Sequence, residues 1–431
     1  MSGACPGLRT FLGLGRGPGG ARERLLIEPG ERTAGRVVFL ELGESLRPAW
    51  LSEGERVAVW SDRRLGPDVQ GRALAWLTEG TARTPAIVDS GEAIVFRFDP
   101  EETVEAMLHE RYFEARRPWH TYLPSSYHFV PGRVRLALFR WMTRARGAAR
   151  AGAGFPEWPV TKAVETVRWA FLGCWTRAGG EVTRAARWPQ GKSYAFCLSH
   201  DIDTAAGLAR VPEIAGIEAQ LGVSATWFLL GHRYRLNHEL LDRLRRQGHE
   251  IGLHGDRHDN RIAYASRGAI VARLARCAEL VGRHGVSGFR APSLLETPLL
   301  REVLRASFRY ASQTPDCEVD ALIAPRRGCA TCFPFEKHGL LEIPITLPME
   351  DKLLSAGLDQ AQILELWRRK LAWVREVGGL AQLAVHGEPH LFDRCRRAFQ
   401  AILKELAEDG TAWRANLGDV ARWWQESISD G

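Results

Sequence analysis

The chain has 431 residues, of which 45% are hydrophobic and 25% are charged, so it is long enough for two or three folded domains and ordinary in composition for a globular protein. No run of about 18 or more apolar residues is present, which argues against a membrane-spanning helix. The net charge of +7 comes from arginines that are scattered and alternate with acidic residues. This pattern indicates a generally arginine-rich protein and not a localised basic surface for nucleic acid.

The cysteines and the first residues bear on location. Eight cysteines are spread along the chain, too sparsely for a disulfide scaffold, which favours a reducing compartment. The opening MSGACPG leads into glycines and arginines rather than into an apolar segment, so no secretory signal is predicted. We therefore expect a cytoplasmic protein, and a peripheral role at the inner membrane stays open.

Residues 1–35 are rich in glycine and arginine, and we expect them to form a poorly ordered leader. Within them, residues 15–20 (GRGPGG) match the pattern GxGxxG. This match follows no predicted strand and contains a proline, so no dinucleotide cofactor is predicted.

Residues 36–188 are predicted to form an α+β domain of unknown role. Proline and two glutamates at 100–102 indicate the start of a helix, and PQGK at 189–192 is typical of a linker. Short runs rich in β-branched and aromatic residues indicate strands at 36–40, 57–60 and 93–98.

Residues 189–431 show a regular alternation of apolar runs and amphipathic stretches, which predicts parallel β/α units. Roughly seven such units indicate a closed or nearly closed, distorted (β/α) barrel. The predicted strands are 194–199, 225–230, 250–254, 288–290, 308–311, 340–346 and 380–386. The predicted helices are 212–221, 239–247, 268–283, 298–306, 360–377 and 394–408.

Polar residues follow several of these strands at the point where each strand ends. The four groups are HDID at 200–203, HGDRH at 254–258, RAP at 290–292 and HGEPH at 386–390. In a β/α barrel the carboxyl ends of the strands meet at one mouth, where catalytic groups lie. We therefore expect these four groups to converge on one site.

The residue types divide naturally into a hydrolytic set. Two histidines and one carboxylate, with an open position for water, form a common zinc shell, and His254 and His258 lie four residues apart after one strand. Of two carboxylates separated by one residue, one can bind a metal while the other accepts a proton. The pattern HExxH is absent, because His249-Glu250 is followed by His254 one position too late, which disfavours a thermolysin-like protease.

With these motifs, the region from about 193 to 390 resembles the polysaccharide deacetylases, also called the NodB-homology or carbohydrate esterase family 4 group. The family's first motif, Thr-Phe-Asp-Asp, corresponds here to SHDID at 199–203, with one inserted residue between the carboxylates. The His-x-x-x-His and Arg-x-Pro motifs correspond to 254–258 and 290–292, and AVH at 384–386 replaces Leu-x-His. The fourth motif is only loosely visible, around 310–312 and Asp316, where an acidic residue would tune the catalytic histidine.

The resemblance implies a role for each matched residue. A divalent metal, Zn²⁺ in our reading, would be held by Asp203, His254 and His258. Asp201 would be the catalytic base, positioned by Arg290, and His386 the general acid. The implied reaction removes N- or O-linked acetyl groups from a polysaccharide or a glycan precursor, so the implied partner is an acetylated glycan.

Two other functions stay open from the sequence. The same type of barrel serves metal-dependent amidases that act on a small amide or imide, and a catalytically silent glycan-binding protein is the third possibility. Retention of both carboxylates, both histidines, Arg290 and His386 argues against a silent protein. Glu388 and His390 are further candidates for lining the cleft, without an assigned role.

Overall fold

The computed structural model describes residues 24–114, 117–122, 130–147, 155–182, 187–318 and 327–429. These residues form two β-sheets with helices against them. Within them, no helix combines the length and the apolar character needed to cross a bilayer.

The first sheet has six strands in the order β1-β6-β5-β4-β2-β3, and only β1 and β6 pair in parallel. The strands are β1 (Leu25–Ile27), β2 (Arg32–Leu42), β3 (Arg56–Arg63), β4 (Arg72–Glu79), β5 (Ala82–Asp89) and β6 (Ile94–Phe96). The expectation of a poorly ordered leader to residue 35 is thus wrong for residues 25–27 and 32–35. The reason is that Leu25 is buried in the core while β1 completes its hydrogen bonds with β6. Residues 1–23, including the GxGxxG match, lie outside the described residues.

Three helices follow the first sheet within the described residues: α1 (Pro100–Leu108), α2 (Gly132–Gly147) and α3 (Ala163–Arg177). The first begins where the sequence predicted, because Asp99 caps it by accepting from the backbone N–H of Glu102. The predicted linker contains a short 3-10 turn, Pro189–Gly191, and the buried Trp188 before it donates from Nε1 to the carbonyl of Gly378.

The second sheet has nine strands, of which seven form a parallel series in the spatial order β14-β7-β8-β9-β10-β11-β13. A parallel bridge between Leu347, beyond β13, and Leu383 in β14 brings the two ends of this series together. The predicted distorted barrel of about seven strands with an N-terminal α+β region is therefore confirmed. The strands are β7 (Tyr194–Ile202), β8 (Ala225–Leu229), β9 (Glu250–Leu253), β10 (Gly288–Phe289), β11 (Tyr310–Ala311), β12 (Phe335–Lys337), β13 (Leu340–Glu342), β14 (Leu380–His386) and β15 (Ala412–Arg414).

Nine helices accompany this sheet in the described part of the chain. They are α4 (Ala205–Gln220), α5 (His238–Arg246), α6 (Arg267–Ala275), α7 (Ala278–His284), α8 (Pro298–Leu304), α9 (Glu350–Ser355), α10 (Gln360–Val377), α11 (Pro389–Glu408) and α12 (Leu417–Ser429).

Some predicted helix bounds are corrected. The helix predicted at 212–221 begins at Ala205, because Thr204 caps it, and Pro212 lies inside the helix rather than at its start. The stretch 268–283 is two helices with a break before Ala278. The helix predicted from 394 begins at Pro389, whose fixed φ suits a first helical position.

The register of the parallel strands positions the candidate residues. Ile202, Leu229 and Leu253 are successive Cα partners, and Phe289 pairs with Leu253. The residues that follow three of these four are Asp203, His254 and Arg290. On the other side of β7, Asp201 and His386 are direct Cα partners in β7 and β14. Adjacent parallel strands therefore bring all of these residues to one edge.

Candidate active site

Asp203, His254 and His258 form one buried cluster after β7 and β9, with one potential ligand atom from each residue within 4.8 Å of the others. Nε2 of His254 lies 3.3 Å from Oδ1 of Asp203, and Nε2 of His258 lies 3.5 Å from Oδ2. Gly255 makes the turn between the two histidines possible, because its φ of +83° is a left-handed conformation that favours glycine.

The donor atoms of this cluster suit a cation. Nδ1 of His254 lies 2.9 Å from the carbonyl oxygen of Arg290. Because a carbonyl only accepts, Nδ1 carries the hydrogen and the neutral ring turns the lone pair of Nε2 toward Asp203. Oδ1 of Asp203 is buried and has no hydrogen-bond partner among the described atoms. Two lone pairs facing each other are unfavourable unless a positive charge lies between them.

The protonation states of His258 and Asp203 also suit metal binding. Burial lowers the pKa of His258 to about 4, which keeps the imidazole neutral and able to donate a lone pair. Burial would raise the pKa of Asp203, but electrostatic interaction with the neighbouring histidines, His258 first, holds it well below its ordinary value. An ionised carboxylate and a neutral imidazole are the forms in which these side chains bind metals.

Asp201 is held by the guanidinium of Arg290, which is fully buried. Nη1 of Arg290 donates to Oδ1 of Asp201 at 2.8 Å and to Oγ of Ser199 at 3.0 Å. Nε and Nη2 donate to Ser312, and the guanidinium carbon lies 4.2 Å from the ring centre of Phe228. Burial would raise the pKa of Asp201, yet the charge of Arg290 holds it below its ordinary value. The arrangement keeps Asp201 ionised and fixed in orientation.

His386 lies opposite Asp201 and is paired with Glu350, the first residue of α9. Nδ1 of His386 lies 2.8 Å from Oε1 of Glu350, which also accepts from the backbone N–H of His386 at 2.9 Å. Burial would lower the pKa of His386, but Glu350 raises it well above its ordinary value through its charge and its hydrogen bond. With Nδ1 committed to Glu350, Nε2 is the ring nitrogen that can give up a proton.

The acidic partner of the histidine was missed by sequence reasoning. Asp316, near which the fourth motif was sought, contacts the buried amine of Lys370 and accepts from the backbone N–H of Cys317. It is therefore not the carboxylate beside His386, and Glu350 occupies that position. The signal available in the sequence was an acidic pair, Glu350-Asp351, directly after an apolar run that ends in Pro348 and Met349.

Of the remaining candidates, Glu388 supports the turn that carries Asp203, whereas His390 and His200 have packing roles. Oε1 of Glu388 accepts from the backbone N–H groups of Asp203 and Thr204, at 2.9 and 3.1 Å. His390 packs against Gly132 at the start of α2. His200, beside Asp201 in sequence, contacts Glu218 and the carbonyl of Val385 in the core, away from the cluster.

Comparison with known proteins gives the same family as the motifs. Residues 198–307 match the family model described as "Polysaccharide deacetylase". The match covers Asp201, Asp203, His254, His258 and Arg290, and ends before β14. No curated protein matches the chain.

Solved structures similar to this chain include a putative polysaccharide deacetylase from Mycobacterium smegmatis, with 24% identity, 57% of this chain and 96% of that chain covered, and a TM-score of 0.47. A PuuE allantoinase has 15% identity over 56% of this chain and 92% of its own, with a TM-score of 0.43. A probable polysaccharide deacetylase from Pseudomonas aeruginosa PAO1 has 17% identity over 56% and 93%, with a TM-score of 0.45. The predicted resemblance is confirmed by the family match at residues 198–307, which identifies a polysaccharide deacetylase region and, with it, a hydrolase of amide or ester bonds.

Proposed function

We propose that this protein is a metal-dependent deacetylase that hydrolyses N- or O-linked acetyl groups on a polysaccharide or a glycan precursor. One observation carries the proposal. Three groups lie at one edge of a single parallel sheet. They are three candidate metal ligands, a carboxylate held by a buried arginine, and a histidine paired with a glutamate. These are the parts that acyl hydrolysis needs: an electrophile, a base and an acid.

The chemistry divides among the residues as follows. A divalent ion, Zn²⁺ in this proposal, would be held by Asp203, His254 and His258 and would polarise the acetyl carbonyl. Asp201 accepts a proton from the attacking water, because Arg290 keeps it ionised and oriented. His386 gives a proton from Nε2 to the departing amine or alkoxide, with Glu350 stabilising the charged imidazole.

A cytoplasmic site of action is also proposed. Support comes from the cysteines: seven of them, all buried, have free thiols in the described part of the chain. Such thiols are typical of a reducing compartment. The substrate in that compartment would be an acetylated precursor rather than a finished envelope polymer.

The test measures metal content and acetate release together. Purified wild type, a His254→Ala/His258→Ala variant and a His238→Ala/His284→Ala control would be loaded with Zn²⁺ and assayed on acetylated oligosaccharides and on small amides. The control removes a second histidine pair, whose Nδ1 and Nε2 atoms lie 2.9 Å apart elsewhere in the fold. We expect metal and acetate release in wild type and control, and neither in the first variant.

A third variant separates binding from chemistry. Asp201→Asn keeps the three donor residues and is expected to retain metal while kcat falls by about 10²–10⁴-fold, the usual contribution of a general base. Absence of metal in reconstituted wild type would refute the proposal. Release of ammonia or amine from a small amide, without acetate from any glycan, would replace it with the amidase function.

A further inference from the structure

Helix α2 is fixed at the rim of the candidate active site. A Cβ on Gly132 would lie 2.5 Å from Cε1 of His390, four residues after His386, so the first turn of α2 packs directly on that ring. Further along, Nε of Arg140 donates to the carbonyl of Leu354 in α9, the helix that begins with Glu350. Leu136 is buried between these two contacts. The helix is thus attached to both segments that surround His386.

The opposite face of α2 presents apolar side chains to solvent. Val134, Leu138 and Trp141 are 56%, 48% and 67% exposed. At about 100° per residue, these three positions fall within an arc of about 60°, and buried Leu136 points the other way. A helix on the surface of a protein normally turns its apolar face inward, so α2 has an additional apolar face without a partner in the described chain.

The exposed large hydrophobic residues are concentrated in one segment of the described chain. Ten large hydrophobic side chains are exposed in the described chain, and five of them lie between residues 122 and 141. They are Tyr122, Val130, Val134, Leu138 and Trp141. Isolated exposed hydrophobics are normal, whereas three on one face of α2 form an apolar surface of the kind that meets another apolar phase.

The charge of the helix selects the partner. The sequence of α2, GRVRLALFRWMTRARG, contains five arginines and no acidic residue. A second copy of this chain seated on α2 about a two-fold axis would place these arginines against the same arginines. A bilayer with anionic head groups offers both an apolar phase for the exposed face and negative charge for the arginines.

We propose that α2 is an interfacial helix that binds the surface of an anionic bilayer, with Val134, Leu138 and Trp141 inserted among the lipids. Because α2 packs on His390 and α9, this binding brings the rim of the active site to the membrane surface. The substrate presented there would be a glycan carried on a lipid. The membrane binding is independent of the deacetylase activity proposed above, and only the lipid-carried substrate rests on it.

The test uses the full chain and vesicle co-sedimentation, a readout that needs no activity. Vesicles of phosphatidylcholine alone are compared with vesicles that also contain phosphatidylglycerol. The variant is Leu138→Ser/Trp141→Ser, and the matched control is Val37→Ser/Val271→Ser, two exposed hydrophobics elsewhere in the fold. Thermal unfolding of each protein shows that it is folded.

We expect wild type and control to sediment only with the phosphatidylglycerol vesicles, more weakly as salt is added. The affinity of the Leu138→Ser/Trp141→Ser variant for these vesicles should fall by at least about ten-fold. The reason is that two large apolar side chains are no longer transferred from water into the bilayer. The proposal would be overturned if wild type did not bind the phosphatidylglycerol vesicles. It would also be overturned if the control variant lost as much binding as the Leu138→Ser/Trp141→Ser variant. The proposal would also be overturned if wild type were a dimer in solution and only the Leu138→Ser/Trp141→Ser variant were a monomer. The apolar face of α2 would then be covered by a second copy of the chain.

Discussion

Among single residues, Glu350 has the largest effect on the chemistry that His386 can perform. A general acid must be protonated, and its activity is lost as pH rises through its pKa. Glu350 raises that pKa well above the ordinary value of histidine, so the protonated form persists at higher pH. In the proposed mechanism, the alkaline limb of the pH profile is therefore set by the carboxylate of Glu350 as well as by the imidazole of His386.

Replacing Glu350 with glutamine keeps the size of the side chain and removes the charge. We expect the alkaline limb of kcat against pH to move to lower pH and kcat at pH 8 to fall. Asp316→Asn serves as the control, because Asp316 pairs with Lys370 and not with His386. An unchanged profile in Glu350→Gln, or an equal shift in Asp316→Asn, would show that Glu350 does not set the pKa of His386.

At the level of secondary-structure elements, the end of β7 is tied to the start of α11. Oε1 of Glu388, the residue before α11, accepts from two successive backbone N–H groups in the turn that carries Asp203. That turn also starts α4 through the cap at Thr204. The position of the carboxylate of Asp203 thus depends on contact between two helices and a strand.

Glu388→Ala is expected to weaken Zn²⁺ binding by about 10–100-fold, as supporting contacts to metal ligands commonly do. Glu388→Gln retains an acceptor oxygen and should lose less. The measurement is a competition titration with a chelator. Asp393→Ala is the control, since it removes an exposed ion pair between the same two helices, with Arg210 of α4. Equal affinity in wild type and Glu388→Ala would contradict the supporting role.

On the scale of the whole molecule, the N-terminal region and the barrel share a buried network of charges. Glu110, which follows α1, lies 2.8 Å from Nζ of Lys337 and 3.3 Å from Nε of Arg327, and it accepts from the backbone N–H of Gly328. Burial would raise the pKa of Glu110, but these two cations hold it below its ordinary value. Glu296 also pairs with both cations, and buried charges of this kind stabilise the structure only while they stay paired.

Glu110→Ala should therefore lower the free energy of unfolding by up to about 3–5 kcal/mol, because two buried cations lose one of their acidic partners and keep Glu296. Half-buried Glu105 of α1, which forms a surface ion pair with Arg111, gives the control: Glu105→Ala is expected to change stability by less than about 0.5 kcal/mol. Chemical denaturation measures both. Separate unfolding transitions for the two regions, with only the N-terminal one affected, would show that the network does not join them.

The sequence predicted the place of the candidate site residues in the fold where a charged or metal-binding residue directly follows an apolar run that forms a strand. The apolar runs before Asp203, His254 and Arg290 predicted three strands correctly to within a few residues, and parallel pairing then brings those ends together. Glu350 could not be found in this way. Its helix has six residues, too few for a periodic pattern, and it lies 36 positions from His386 along the chain. The same limit applies to β12 and β15, whose three residues gain their conformation from pairing.

Arg290 connects the two halves of the proposed chemistry through one residue. Its side chain fixes Asp201, and its own carbonyl fixes the ring of His254. A shift of this backbone would therefore change the orientation of the proposed proton acceptor and of a proposed metal ligand together. Lysine in this position has one amine instead of a planar fork and cannot reproduce the contacts with Ser199 and Ser312. A substitution at Arg290 would therefore alter the proposed base and the proposed metal site at the same time, and the two cannot be tuned separately through this residue.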